Sequence, residues 1–386
     1  MEQIMFALIR GEFGNETSEV KDISRISDAK EYGELYRLAK KHDMAHIVGA
    51  ALERRGLLGD DEMSAAFRKQ QMLAVYRYET INYELEEIRE LFEGEGIAFM
   101  PLKGSVIRKY YPQPWMRTSC DIDILVKEEE LEKAIDALVK KLEYTNGGRE
   151  YHDVSLYSPS NVHVELHFSL VDETSFPKAN DIAEAVWSNS APIREGSFEY
   201  AMTDSFFEFY HILHMAAHVR SGGCGVRPFL DMWILEKKTD RDTADREKLL
   251  AEGGLLAFAN SACELSMAWF SGAEYTEISR RLEDYVINGG VYGSVQNKVA
   301  AQKDNSDGRL KYILSRLFLP YGVLKTKYPV IERHKWLTPF MQVRRWFSRI
   351  FGGRMKNSMQ EIKAEKSVSR EDIEKTAELF SSMGID

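Results

Sequence analysis

The chain has 386 residues, of which 44% are hydrophobic and 29% are charged, and its formal net charge is -10. This length is enough for two or three domains with cores of their own, and the acidic balance argues against wholesale binding to nucleic acids or membranes. No stretch approaches the ~18 unbroken apolar residues of a membrane-spanning helix. Three scattered cysteines favour a reducing compartment without a disulfide framework, so we expect a cytoplasmic protein.

The first 70 residues are predicted to be helical, because apolar residues recur at a spacing of 3.6 and Gly56 then provides a stop. A long helix is expected over about 63–92, with Gly94 and Gly96 at its end. The side chains predicted to form its buried stripe are Leu73, Tyr76, Ile81, Leu85, Ile88 and Leu91.

A small mixed sheet with helices on it is predicted over roughly 93–200. Its strands are expected at 97–102, 121–126, about 153–157 and 162–170. Between the second and third of these strands, 128–142 has the pattern of an amphipathic helix, and its acidic start suits the positive end of the helix dipole.

From Asp204 onward the chain is again predicted to be helical. Ser205 and Glu208 have the spacing of a capping box. Further helices are expected to about residue 319, where Pro320 breaks the pattern.

The segment 333–356 is rich in Arg and Lys, contains no Asp or Glu, and has Trp336, Trp346 and Phe347 interleaved with the basic residues. This composition fits binding to a nucleic acid or to an acidic partner. The alternative interpretation is a helix that docks on the acidic body of the protein with its Trp residues buried.

Asp121 and Asp123 are two residues apart on a predicted strand, so their carboxylates lie on the same face. Two adjacent carboxylates repel each other unless a cation lies between them, and Mg²⁺ prefers a few carboxylates with some retained water. The pair therefore predicts a divalent-metal site. The alternative is a strand end that is merely hydrated.

Lys103, Gly104 and Ser105 form a predicted turn between the first strand and a helix. Backbone N–H groups and a hydroxyl at the start of a helix bind anions, so this turn is a candidate phosphate site. Most Gly-Ser turns bind nothing, so this turn indicates phosphate binding only because it lies close to the acids.

A third acid is expected near the pair, because a two-metal site needs a ligand that bridges or completes it. Glu165 lies on the last predicted strand, with His163 and His167 on the same face. If this strand neighbours that of Asp121 and Asp123, the three carboxylates could hold two metals ~4 Å apart for in-line transfer. The alternatives are a polar outer face of the sheet, or a zinc site at the two histidines, for which no fourth ligand is evident.

The order of these residues resembles the signature of the DNA polymerase β-like nucleotidyltransferase superfamily. That signature has a Gly-Ser turn, here Gly104 and Ser105, then Asp121-x-Asp123, and then a single acid on a later strand. The wider context is similar to its bacterial branch of uncharacterised nucleotidyltransferases. The resemblance implies an Mg²⁺- or Mn²⁺-dependent transfer of a nucleoside monophosphate from an NTP to an acceptor hydroxyl, with release of pyrophosphate. Asp121, Asp123 and Glu165 would ligate the metals; many members of the superfamily have Asp at the third position.

The same resemblance assigns the phosphate-binding residues. Gly104 and Ser105 would hold the triphosphate, and Lys103 and Arg117 would contact it, with simple solvation as the alternative for these two basic side chains. No motif identifies the acceptor, which would be a small molecule, an RNA end or a protein side chain.

The predicted fold class is α+β, with a nucleotidyltransferase core built on a small mixed β-sheet and flanked by helical regions. The predicted boundaries are 1–70 for an N-terminal helical region, 71–200 for the core, 201–325 for a C-terminal helical domain and 326–386 for a basic and aromatic tail with a terminal helix.

His211, His214 and His218 share one face of a predicted helix. Their spacing would allow a metal site, but packing or contact with the nucleotide is the preferred interpretation. Asp231 resembles a position in the helical domain of the same branch, without an assigned role.

Two other functions stay open. One is a catalytically inactive, nucleotide-binding regulatory module, against which the presence of all three acids argues. The other is a metal-dependent phosphohydrolase, because His42-Asp43 and His152-Asp153 resemble the histidine–aspartate pairs of such enzymes. Without further ligands, both pairs are interpreted as surface residues.

Overall fold

The structure is a computed structural model that describes residues 1–13, 29–149, 152–170, 176–238, 242–291, 330–351 and 369–386, together with positions 293, 294, 297, 321, 324 and 328. In these parts of the chain, a five-stranded mixed sheet with helices on it lies between two helical regions. The fold class is therefore α+β, as predicted. No helix among the described residues is long and apolar enough to cross a membrane.

A long helix leads from the N-terminal helices to the sheet. The helices before the sheet are α1 (Glu2–Phe13), α2 (Ala29–Lys41), α3 (Ala45–Arg54) and α4 (Glu62–Glu95). Asp61 caps α4 by accepting hydrogen bonds from N–H groups of its first turn, and Gly96 ends it in the left-handed region at φ 61°. The predicted long helix is confirmed, with Gly94 inside it.

The buried face of α4 differs from the predicted stripe at Tyr76, whose side chain is 67% exposed. The apolar residues of α4 that are buried are Phe67, Ala74, Ile81, Leu85, Ile88 and Phe92. Tyr76 comes two residues after Ala74, which turns it about 200° away from the buried face. The prediction of a buried Tyr76 is therefore wrong.

The sheet has the strand order β1-β2-β5-β4-β3. Its strands are β1 (Phe99–Pro101), β2 (Asp121–Val126), β3 (Thr145–Arg149), β4 (Asp153–Tyr157) and β5 (His163–His167). Strands β2 and β5 are parallel, and the other neighbouring pairs are antiparallel. The sequence does not predict β3, because this strand contains Gly147 and Gly148 and is exposed along its whole length, so it has no alternating apolar pattern.

Two hydrophobic cores support the sheet and its flanking helices. In the first, α4 and α6 (Leu131–Lys141) pack on the sheet face that carries Ile122 and Val164. The second joins α1 and α3 to helices that follow the sheet, where the rings of Phe6 and Trp269 stack with centroids 4.4 Å apart. The N- and C-terminal helices thus share a core, while the predicted boundaries at residues 70, 200 and 325 stay a prediction.

Helices dominate the chain after the sheet. After α5 (Gly104–Ile107) and α6, the described helices are α7 (Pro177–Ala183), α8 (Asp204–Arg220), α9 (Arg227–Lys238), α10 (Thr243–Glu252), α11 (Leu256–Ser271), α12 (Glu277–Gly289), α13 (Val330–Arg333), α14 (Thr338–Phe351) and α15 (Arg370–Met383). The predicted capping box at Ser205 is wrong. Thr203 caps α8 instead by accepting from the N–H of Phe206, and the Ser205 hydroxyl donates to the carbonyl of Asp242 at 3.1 Å.

Two predictions at the C-terminal side extend beyond the described residues. The expected helices between 298 and 319 and the break at Pro320 lie outside them. In the basic segment, Trp336 is 68% exposed, so the interpretation that buries the Trp residues is wrong for Trp336. Partner binding by 333–356 stays a prediction.

His42 is fully buried, which corrects its interpretation as a surface residue. Burial lowers the pKa of His42 to about 4, with the nearby charge of Lys41 as a smaller cause. In the unfolded chain a histidine has a pKa near ~6.5. Between these values the unfolded state binds a proton that the folded state does not, so stability falls as the pH drops from about 6.5 to 4.

Replacing His42 by Leu should therefore flatten the pH dependence of stability. We expect the wild-type free energy of unfolding to lose up to about 1.4 kcal/mol per pH unit through this group, and the H42L variant to lack this part. Urea denaturation at pH 7, 6, 5 and 4.5 measures it. The exposed His334 offers a matched control, His334→Leu, and an equal pH slope in H42L and wild type would contradict the assignment.

Candidate active site

The three predicted acids meet on one face of the parallel strand pair. In the register of β2 and β5, Asp121 lies opposite His163 and Asp123 lies opposite Glu165. The alternate residues of both strands point into the core below the sheet, because successive side chains of a strand point to opposite faces. The expectation that Glu165 lies on a strand beside the two aspartates is confirmed.

Oxygen and nitrogen donors at this edge form two overlapping groups. Asp121, His163 and Glu165 offer donor atoms within 4.8 Å of one another, and so do Asp123, Glu165 and His167. Glu165 belongs to both groups. This is the arrangement that two neighbouring cations with one bridging carboxylate require.

A third group consists of His152, Asp153 and His167, again with donor atoms within 4.8 Å. Asp153 is buried and His152 is half-buried. The interpretation of this pair as surface residues is therefore wrong: β4 lies beside β5, and Asp153 is opposite His167 in the register. Asp43, the neighbour of His42, accepts hydrogen bonds from Thr118 and Arg227.

The turn after β1 places a positively charged side chain, that of Lys103, next to the acids. Lys103 adopts a backbone conformation with φ 45°, which is unusual for a residue with a side chain, and its Nζ lies 3.2 Å from Asp123 Oδ1. The N–H of Leu102 donates to the carbonyl of Asp123 at 3.0 Å, so the turn is tied to β2. Lys103 is thus directed at a carboxylate in this structure.

Gly104 lies close to a guanidinium group. A Cβ at this position would lie 3.2 Å from Arg117 Nη1, so only a glycine allows this approach without a shift of Arg117. The helix that Gly104 opens, α5, has only four residues, and its dipole is correspondingly small. Any anion binding here would depend on the cations and on individual N–H groups.

Ser105 is not brought together with the acids. It lines a neighbouring cavity of about 200 Å³ next to Lys109 and Tyr110, whereas Gly104 lines the cavity of the acids. In a helix, consecutive residues point about 100° apart, so Gly104 and Ser105 face different cavities. The predicted phosphate contact by Ser105 stays a prediction that this geometry does not favour.

Arg117 forms a buried ion pair. Its Nε lies 2.7 and 3.0 Å from the two carboxylate oxygens of Asp231, and the hydroxyl of Tyr111 donates to the same carboxylate at 2.7 Å. Burial raises the pKa of Asp231, but Arg117 outweighs this effect and holds the pKa below its usual value. The pair therefore ties the segment before β2 to helix α9 and leaves less of the guanidinium for a phosphate than the sequence suggests.

The acids line a cavity of about 380 Å³ between the sheet and helices α8 and α9. Polar and charged residues in its lining include Lys103, Arg117, Asp121, Asp123, Glu165, His167, His211, His214, His218, Arg227 and Asp231, and Gly104 lines it as well. Six of the seven predicted site residues therefore share one cavity, and Ser105 is the exception.

The charged groups in this cavity shift one another's pKa values. Burial raises the pKa of Asp121, and repulsion by Asp123 and Glu165 raises it further. Burial also opposes ionisation of Asp123, but Lys103 and a hydrogen bond with His167 outweigh it, so the pKa of Asp123 lies well below its usual range. The same contacts hold the pKa values of Lys103 and His167 above their usual values despite burial.

The three histidines of α8 all line the cavity, but the structure does not join them into one donor group with the acids. His211 Nε2 lies 3.1 Å from the carbonyl of Pro228, and the Nε2 atoms of His214 and His218 are 3.1 Å apart. Burial lowers the pKa values of His211 and His214. Neutral side chains here fit the preferred interpretation of packing or nucleotide contact.

Part of the cavity is not evident from the sequence alone. His167 was identifiable, since it shares a face with Glu165, but its hydrogen bond with Asp123 at 3.0 Å depends on the strand register. Arg227 has no local signal, and its Nη1 bonds to Asp43 Oδ2 at 3.1 Å. Tyr210 looks like an ordinary helix residue until α8 is packed over the sheet.

Comparison with known proteins identifies the family of this chain. A family model described as "Uncharacterised nucleotidyltransferase" matches residues 28–271, which include the whole sheet and the cavity residues on α8 and α9. Among curated proteins, no significant match is found. Because the matched region is well over half of the chain, the protein belongs to this nucleotidyltransferase family.

Proposed function

We propose that the protein is a metal-dependent nucleotidyltransferase that moves a nucleoside monophosphate from an NTP to an acceptor hydroxyl and releases pyrophosphate. The observation that carries this proposal is the pair of donor groups that share Glu165 at the edge of β2 and β5. Membership of the nucleotidyltransferase family supports nucleotidyl transfer in general.

The donor atoms fit divalent cations. Asp121, Asp123 and Glu165 offer the oxygen ligands that Mg²⁺ prefers, while His163 and His167 add nitrogen donors that suit Mn²⁺ better. When bound, the metals would polarise the phosphate oxygens and stabilise the developing charge on the attacking and leaving groups.

The residues of the chain contribute charge and proton transfer. Lys103 and Arg227 place positive charge in the cavity, and Gly104 contributes backbone to the same lining. One of the three acids would help to accept the proton of the acceptor hydroxyl.

Labelled nucleotides test this function. We expect protein incubated with Mg²⁺ or Mn²⁺ and cell extract to transfer the label of an α-labelled NTP to an acceptor, while the label of a γ-labelled NTP appears in pyrophosphate. Mass spectrometry of the labelled product then identifies the acceptor as a small molecule, an RNA end or a protein side chain. Metal-independent transfer, or no transfer with any of the four NTPs, would overturn the proposal.

The assay without cell extract, together with a measurement of NTP binding, separates the alternatives. The donor group of His152, Asp153 and His167 favours a phosphohydrolase as second candidate, which would release phosphate from the NTP without an acceptor. An inactive regulatory module would bind the NTP and release neither product.

The free state of Cys120, Cys224 and Cys263 fits the reducing cytoplasm, which we propose as the location.

A further inference from the structure

A second cavity adjoins the one that contains the acids. It has a volume of about 180 Å³ and lies between helix α8 and the start of α7. Leu170, Tyr210, His214 and His218 line both cavities. The two cavities therefore adjoin along these four side chains.

The two cavities differ in chemistry. The cavity of the acids contains Asp, Glu, Lys and Arg side chains, whereas the part of the second cavity's lining that the structure describes contains none of these residue types. Phe176, Tyr210 and His214 contribute aromatic rings to the lining, Leu213 and Ala217 contribute apolar surface, and Asn180 lies at the same wall. The guanidinium of Arg220 lies over the ring of Phe176, 5.5 Å from its centroid, which leaves the other face of this ring for a ligand. A flat, uncharged group with polar edges fits such a lining, because rings stack on its faces while an amide bonds to its edge.

We propose that the second cavity binds the base of the NTP whose phosphates lie at Asp121, Asp123 and Glu165. This inference rests on the proposed function and assigns the nucleotide a direction, with the triphosphate over the sheet and the base between α7 and α8. A nucleobase has the required two flat faces and hydrogen-bonding edge, whereas an acceptor needs its hydroxyl beside the acids. The charged cavity is the place for that hydroxyl.

Side chains that line both cavities contact one another. The rings of Tyr210 and His214 have centroids 6.2 Å apart, and His214 and His218 are joined through their Nε2 atoms at 3.1 Å. Each of these side chains is held by a neighbour on α8 and does not have to be ordered by the ligand. Such preorganisation lowers the cost of binding.

Filling the second cavity tests the inference. Ala217 lies in its wall, and Ala217→Trp would occupy the space of a base. We expect this variant to bind a non-hydrolysable NTP analogue about 10- to 100-fold more weakly in the presence of Mg²⁺, since a stacked base contributes ~1–3 kcal/mol. Binding of inorganic tripolyphosphate, which has no base, should stay unchanged. Isothermal titration calorimetry measures both ligands.

Two further variants exclude a general effect of an added Trp and misfolding of A217W as explanations. Ala65→Trp, at an exposed position of α4, is the matched control and should bind both ligands like the wild type. Phe176→Leu keeps apolar volume but removes a ring face, so it should weaken the analogue several-fold and spare tripolyphosphate even if A217W does not fold.

Each outcome of the titrations decides something. If the analogue binds to A217W and to F176L as tightly as to the wild type, the base site is overturned. An equal loss of affinity for the analogue and for tripolyphosphate also overturns it. If the wild type binds neither ligand with Mg²⁺, the proposed function fails and this inference fails with it. Loss of the analogue alone supports the base site.

Discussion

Replacing Asp123 by Asn should lower the rate of nucleotidyl transfer by about 1000-fold or more. Asn keeps the shape of the side chain but removes its charge, and Asp123 belongs to one of the two donor groups and is ion-paired with Lys103. Loss of several kcal/mol of charge stabilisation corresponds to such a factor. The transfer of α-label with saturating Mg²⁺ or Mn²⁺ measures the effect.

The matched control for this change is Asp136→Asn. Asp136 lies exposed on α6 and is ion-paired with Lys140, so the same chemical change there should leave the rate unchanged. Circular dichroism spectra and thermal unfolding of both variants show whether each one is folded. Transfer by a folded D123N variant at the wild-type rate would contradict the assignment of Asp123.

Replacing Asp231 by Ala should lower the free energy of unfolding by about 3–5 kcal/mol, because the change leaves a buried charge without its partner. Asp231 is completely buried, and the side chain of Arg117 is only 9% exposed. Tyr111 would lose its hydrogen-bond acceptor as well. Urea denaturation at pH 7 measures the loss.

A double variant separates the buried charge from the lost packing. Asp231→Leu combined with Arg117→Met replaces both charges by apolar groups, and we expect it to recover a large part of the stability that D231A loses. Asp136→Ala should change stability little, because that aspartate is exposed. A loss below about 1 kcal/mol in D231A would show that the pair does not stabilise the fold as described.

Local patterns predicted the sheet strands that have apolar periodicity and missed the one that lacks it. The strands of Asp121 and Glu165 alternate between polar and apolar residues, and the structure places them as parallel neighbours. Strand β3 contains Gly147 and Gly148 and is held by pairing with β4. Backbone pairing leaves no trace in composition, so only the assembled sheet reveals such a strand.

The wrong predictions of side-chain burial also arise from contacts that local patterns do not contain. Tyr76 matches the spacing of the buried stripe but faces solvent, and His42 looks polar but lies in the core. Whether a side chain is covered depends on elements that are distant in the chain. Patterns along one helix do not contain this information.

The sequence by itself determined that two carboxylates share a strand face and that a third acid lies on a later strand, because the period of two follows from strand geometry. Only the tertiary structure decided that Glu165 joins both donor groups, that Lys103 contacts Asp123, and that Arg117 pairs with Asp231. Each of these contacts depends on strand register and helix packing between residues 20 to more than 100 positions apart. For that reason, local residues were enough to show the resemblance that implies nucleotidyl transfer, whereas the place of the base between α7 and α8 could be inferred only from the folded chain.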